Sequence, residues 1–317
     1  MKIFRIRHSA PLLGFFGELL TVCYIGLIAS IALITHIPYI LFPELGALSH
    51  DVIKRPHGTW AKAPGMLVIT PFLTGVAGTL ISQHFHYGMT PILLATAASM
   101  LIIRALQSPI APAISAGVLP ISLDITSWRY PLALLLGLVL LAALSLIWQR
   151  AVPPPPTRSA VDVADDITEE APRSYSWLPF FVVFLIGTAL LSQLTGWRLI
   201  LFPPLIVIAF EMFAHADVCP WAGRPLMLPV ACTLNALAGV LLVTTLGNVP
   251  FAVAGSAVFA IFILRVFDLH VPPAIAVGLL PFVIPNVDYV FPVSVGIGTL
   301  SLTMLFLIWK KVKQPAI

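Results

Sequence analysis

The sequence predicts an all-α, polytopic membrane bundle of two homologous halves, from its hydropathy, its spacing of long apolar runs and a register of matched residues. Of 317 residues, 59% are hydrophobic and 9% charged, and the mean hydropathy is +1.01. A soluble domain carries about 25% charged residues, and its surface has to be wetted. A lipid bilayer is the solvent and first partner that this composition fits. The 29 prolines and 20 glycines suit membrane helices that pack on neighbours or line cavities.

A spanning helix needs about 20 apolar residues. Stretches of that kind lie at 15–37, 64–84, 90–107, 129–149, 177–196, 225–245, 249–267 and 288–309. Two further apolar segments open on Leu-Phe-Pro, at 41–43 and 201–203, and run to about His50 and His215. Residues 153–156 are four prolines, followed by Asp162, Asp165, Asp166, Glu169 and Glu170. That run reads as a polar, partly extended linker with little to bury. It divides the chain into a first membrane repeat (1–150), a linker (151–175) and a second membrane repeat (176–317).

The two halves match in register. Trp60 corresponds to Trp221 (221 − 60 = 161), and the same offset pairs Pro64 with Pro225, Gly78 with Gly239, and Arg104 with Arg265. It also pairs Pro112 with Pro273, Gly117 with Gly278 and Pro120 with Pro281. The Leu-Phe-Pro triplets are offset by 160, one residue short of that register. Composition alone does not align tryptophan, arginine and several prolines, so the halves read as an internal duplication.

Each half also holds a short proline-rich segment, 108–120 and 270–281. If these are re-entrant, each half has five spans and the halves are inverted. If they cross, each half has six spans and the halves are parallel. Lys54, Arg55 and Lys62 mark the loop after the first Leu-Phe-Pro segment as cytoplasmic, whereas the equivalent loop at 214–224 carries one arginine and Asp217. That asymmetry makes a five-plus-five inverted repeat with broken, re-entrant segments the expectation, and a six-plus-six parallel repeat the alternative. Lys2, Arg5 and Arg7 before the first apolar run, and Lys310, Lys311 and Lys313 at the other end, place both termini in the cytoplasm of a multi-pass inner (plasma) membrane protein.

The residues that could carry chemistry are few. Arg104 and Arg265 end apolar spans; they either serve an interior site or snorkel to the headgroups. A helix opened by proline aims N–H groups and a positive dipole end at whatever faces it. Pro112 with Ala113, and Pro272 and Pro273 with Ala274, are such starts, next to His270. Discontinuous helices often hold transporter substrates; a proline-kinked span without a ligand is the other reading. Asp51 and Glu211 match in register (211 − 51 = 160), and with Glu44 they are candidates for a coupling proton or cation, or markers of the membrane boundary. Thr74 and Asn235 lie within apolar spans, as substrate contacts or as interhelical glue.

Cys23, Cys219 and Cys232 show no metal-type spacing, so no metal, cofactor or disulfide is expected. No zinc-protease, nucleophile-elbow or phosphate-loop motif is present, which argues against an enzyme. The basic residues cluster at loops and ends as topology signals, not as a nucleic-acid footprint.

At His270-Val271-Pro272-Pro273-Ala274, followed by Gly278, the sequence resembles the HPP family of small membrane proteins, whose motif is a contiguous His-Pro-Pro. Here Val271 intervenes, and the first half has Ser108-Pro109-Ile110-Ala111-Pro112 without histidine. The resemblance implies a fused double unit and a nitrite-like cargo. The residues themselves make a transporter or channel for a small inorganic anion the expectation, bound between the halves by Arg104, Arg265 and the proline-led starts. A non-transporting scaffold, an assembly protein or a sensor component is the alternative. A homo-oligomer is compatible with either.

Overall fold

A computed structural model describes residues 10–154, 159–170, 172 and 174–313. The N-terminal basic residues Lys2, Arg5 and Arg7, and Arg158, Arg173 and the Lys313 side chain, lie outside the described residues.

Among those residues the chain is all helical, with thirteen α-helices and no strand. The first run holds α1 (Ala10–Thr35), α2 (Glu44–Lys54), α3 (Pro64–His84), α4 (Met89–Ala105), α5 (Ala113–Ser122) and α6 (Arg129–Ala151). A short α7 (Ala160–Glu169) stands in the linker. The second run holds α8 (Leu178–Thr195), α9 (Pro203–Ala214), α10 (Met227–Leu246), α11 (Pro250–Val266), α12 (Pro273–Leu279) and α13 (Val290–Lys313). Six of these, α1, α3, α6, α8, α10 and α13, are long and apolar enough to cross a membrane. The protein is a multi-pass membrane protein.

Side-chain contacts fix the direction of the short helices. Thr70, in the first third of α3, donates to Ser108 Oγ at 2.7 Å, and Ser82, near the end of α3, donates to the Pro120 carbonyl at 3.2 Å. Residues 108–120 therefore run alongside α3 in the same direction. Around α10 the order repeats: Arg224 donates to Phe267 O, Asn235 to Ala274 O and Asn248 to Phe282 O. Both proline-rich segments enter at one end of the bundle and leave at the other, so the re-entrant expectation is corrected. A ten-residue helix covers only about 15 Å. It can still cross because its non-helical flanks are buried in protein, where neighbouring side chains satisfy the backbone.

The Leu-Phe-Pro segments also cross. Ile40 O lies against Gly137 in the body of α6, and Ile53 O accepts from Trp148 Nε1 near the end of that helix. In the second run Ile200 O lies against Gly298, and Phe213 packs on Trp309 with ring centroids 5.4 Å apart. Each run therefore traverses the bundle six times. Both start at the same end, because Glu18 of α1 pairs with Arg265 at the end of α11, and Phe180 of α8 packs on Trp309 at the end of α13.

The four short helices make the centre. All of α5 and α12, and α2 and α9 apart from their last residues, are buried. A helix buried on every side needs protein neighbours all round, and here α2 packs on α12, α12 on α9, and α9 on α5. Glycines set the spacing. A Cβ on Gly78 would collide with the Gly117 backbone, and one on Gly239 with that of Gly278, so α5 and α12 sit backbone to backbone on their neighbours, as small residues permit between membrane helices.

Candidate functional site

The centre carries the ionisable groups that the sequence offers as coupling-ion candidates or as markers of the membrane boundary. Glu44 opens α2, is 0% exposed, and neither of its oxygens makes a well-directed hydrogen bond among the described residues; Ser115 of α5 is the polar group that faces it. Glu211, on α9, is buried with one oxygen unpartnered. An ionised carboxylate in such a place costs several kcal/mol (roughly) unless it is paired. A bound proton or cation removes that cost.

Asp51 ends differently, because the chain supplies its partner. Arg55, four residues on and at the C-cap of α2, donates from Nε to Asp51 Oδ1 at 2.8 Å. The same guanidinium donates to Asp166 Oδ1 at 3.1 Å and to Glu169, and lies 3.8 Å from Asp165. These acidic partners come from α7, the helix in the linker. Its N-terminus is a reciprocal capping box: Ser159 accepts from the Asp162 N–H, and Asp162 accepts from the Ser159 N–H. Such a cap supplies two of the donors that a helix start leaves open with acceptors. Residues 160–169 of the expected polar, partly extended linker therefore form a docked helix. Asp166 also accepts from the Thr59 N–H at 3.0 Å, and Glu169 from the Trp60 N–H at 3.3 Å. Across the cluster, His270 Nε2 stands 2.8 Å from Asp165 Oδ2, an ion-pair distance with off-line geometry for a hydrogen bond. Burial penalises the Arg55 charge, and the surrounding carboxylates, Asp51 foremost, outweigh that and hold its pKa above the ordinary value.

The register position of Arg55 in the second run is His215 (215 − 55 = 160). Burial keeps its imidazole below the ordinary pKa, opposed by the Glu170 backbone. The arginine-centred latch thus has no counterpart at His215, and α7 spans both runs, held by Arg55 and Thr59 on one side and packed on α9 and the turn at Pro220–Gly223 on the other.

The proline-led starts hold no open anion cradle. At the first, the N–H groups of Ala113, Ile114 and Ser115 donate to Ile110 O, Ala111 O and Pro112 O. At the second, those of Ala274 and Ile275 donate to Val271 O and Pro272 O. Thr74 donates to Ala113 O at 2.7 Å and Asn235 to Ala274 O at 2.9 Å. These two polar residues therefore tie helices together at matching positions. The arginines are not at the midplane either. Arg265 is 57% exposed and pairs with Glu18 at 2.6 Å, and Arg104 is exposed and lies over the Tyr175 ring, 5.1 Å from its centroid. They line two cavities at the α7 end: one of about 970 Å³ holding Arg265, His270 and Pro272, and one of about 860 Å³ holding Arg104, Pro109 and Ala111.

No family model, curated protein or solved structure matches the chain.

The glutamates and Asp51 were visible as candidates from sequence. Arg55, Asp165, Asp166 and Glu169 were missed as a unit. Two local signals pointed to it, the Asp51/Arg55 spacing of four and the Ser159-x-x-Asp162 cap, but docking between distant segments has no local signature.

Proposed function

We propose that the protein is a proton-linked membrane transporter for a small solute, with Glu44 as the group that takes up and releases the proton. The observation behind this is the Glu44 side chain, 0% exposed at the centre and without a well-directed partner. An ionisable residue inside a membrane bundle is functional by default, and a protonated carboxyl offers a hydrogen-bond donor where the proline-led helices do not.

The halves are taken as tandem parallel copies of six crossings each. They are related by a two-fold axis along the membrane normal, as in transporters built from parallel repeats. The matched ties of Thr74 and Asn235, and the matched glycine contacts of Gly78 and Gly239, support that reading. The α7 end carries Lys54, Lys62, Arg150, Lys310 and Lys311, so by the positive-inside rule it faces the cytoplasm of a plasma membrane. The HPP resemblance makes a nitrite-like anion the first cargo to try. Travelling with a proton, such an anion would cross without net charge. No covalent step belongs to this reading.

In proteoliposomes, an inward proton gradient is expected to drive nitrite uptake that a proton ionophore abolishes. Equal nitrite flux with and without the gradient would contradict proton linkage. A second reading, a non-transporting scaffold, is favoured by the tight α2–α12 contact, where Gly46 meets Leu279 and Ile275. It predicts no solute flux under any gradient.

A further inference from the structure

The cavity of about 970 Å³ at the α7 end is not used by the proposed proton path. It lies between α1, α2, α7 and α11 and has two kinds of wall. Phe15, Ile261 and Leu264 form an apolar side, and Phe15 is exposed on the flank of a membrane helix. The other side is cationic: Lys54, Arg224 and Arg265, with His50 and His270.

The charges are not all spent on one another. Arg265 pairs with Glu18, and Arg224 with Asp268 at 3.2 Å on the surface. Among the described contacts, Lys54 Nζ meets only His270 Nδ1, at 3.4 Å, which is not a carboxylate. Behind it, His50 is 6% exposed and its Nδ1 has no hydrogen-bond partner among the described residues. A buried imidazole nitrogen without a hydrogen-bond partner, in the wall of a cavity, is a group that a ligand atom can satisfy.

We infer that this cavity binds the phosphate headgroup of an anionic phospholipid, with the acyl chains lying against the apolar faces of α1 and α11. Basic pockets between transmembrane helices at the membrane surface suit such headgroups. The apolar wall favours a lipid over a free phosphate ion, which shares the headgroup chemistry and needs no hydrocarbon surface. A headgroup here would touch Lys54 of one half and Arg265 and His270 of the other, at the edge of the α7 latch. The inference rests on the membrane fold and not on transport.

The test uses the full chain in an uncharged detergent, titrated with phosphatidylglycerol, phosphatidylcholine or inorganic phosphate while the thermal unfolding midpoint is followed. Phosphatidylglycerol is expected to raise the midpoint where phosphatidylcholine and phosphate do not. Each basic residue near the membrane surface contributes about fivefold in affinity, so Lys54→Ala and Arg265→Ala should each shift the titration by about that factor. Arg104→Ala, at the other cavity, should leave it in place. Lys54→Gln, which removes the charge and keeps a polar, unbranched stem one atom shorter, serves if Lys54→Ala does not fold. Equal stabilisation by both lipids, a phosphatidylglycerol response untouched by the Lys54 and Arg265 variants, or a response to phosphate alone would each overturn the inference.

Discussion

Arg55, at the end of α2, donates to Asp166 of α7 at 3.1 Å across 111 positions of sequence. That bond and its companions to Asp51 and Glu169 turn an acidic linker into a structural piece of the bundle. Removing the guanidinium leaves four carboxylates facing one another in a buried site. Arg55→Ala is therefore expected to destabilise the protein by roughly 3–5 kcal/mol, read as a large drop in the unfolding midpoint of the detergent-solubilised protein. An unchanged midpoint would mean that α7 is not docked as described.

The cap of α7 can be tested separately from its docking. Ser159→Ala removes the hydroxyl that accepts from the Asp162 N–H and leaves the Ser159 N–H to Asp162 bond in place, at a local cost of about 0.5–2 kcal/mol. Faster amide exchange across 160–169 is expected, with exchange in α3 and α10 unaffected. Uniform acceleration through the chain would show that the cap supports the whole fold.

The glycine contacts predict a sharp positional contrast. Gly78→Ala and Gly239→Ala each place a methyl against backbone that has no side chain to yield, and overpacking of this kind costs about 1–3 kcal/mol. Gly65→Ala, in the first turn of α3 with nothing within 4 Å of the new Cβ, should be neutral or slightly stabilising. Thermal midpoints of the three variants decide the matter, and similar losses at all three would argue against close backbone packing.

The polar ties at matching positions should behave alike. Thr74→Val and Asn235→Leu each remove one donor to a buried carbonyl, with an expected loss of about 0.6–2 kcal/mol. Neither should change the selectivity of solute flux, because both residues act on the helices and not on the cargo.

Much of this architecture was legible in the residues themselves. The apolar run at 64–84 is α3, that at 129–149 is α6 to within two residues, and that at 225–245 is α10 to within two. Hydropathy reads such helices well because the bilayer imposes their length. It cannot decide whether a short segment such as 113–122 turns back or crosses, since that depends on what satisfies its flanks. Here Ser108 and Pro120 are met by side chains at opposite ends of α3. The candidate site divided along the same line. Glu44, Asp51 and Glu211 stand out as charges in apolar chain, whereas the α7 carboxylates have the sequence of a solvated run and are buried only because Arg55 lies among them. Arg104 and Arg265 drew notice by their register, yet their place at the ends of α4 and α11 leaves them at the edge of the bundle.

Glu44 carries the central claim, and the direct measurement is proton-driven solute flux in proteoliposomes containing wild type or Glu44→Gln, with unfolding midpoints recorded on the same preparations. Glutamine keeps the shape of the side chain and cannot exchange a proton. The expected result is loss of gradient-driven nitrite uptake in the variant with an unfolding midpoint equal to or above that of wild type. Uptake by Glu44→Gln that still follows the proton gradient at the wild-type rate would contradict the claim.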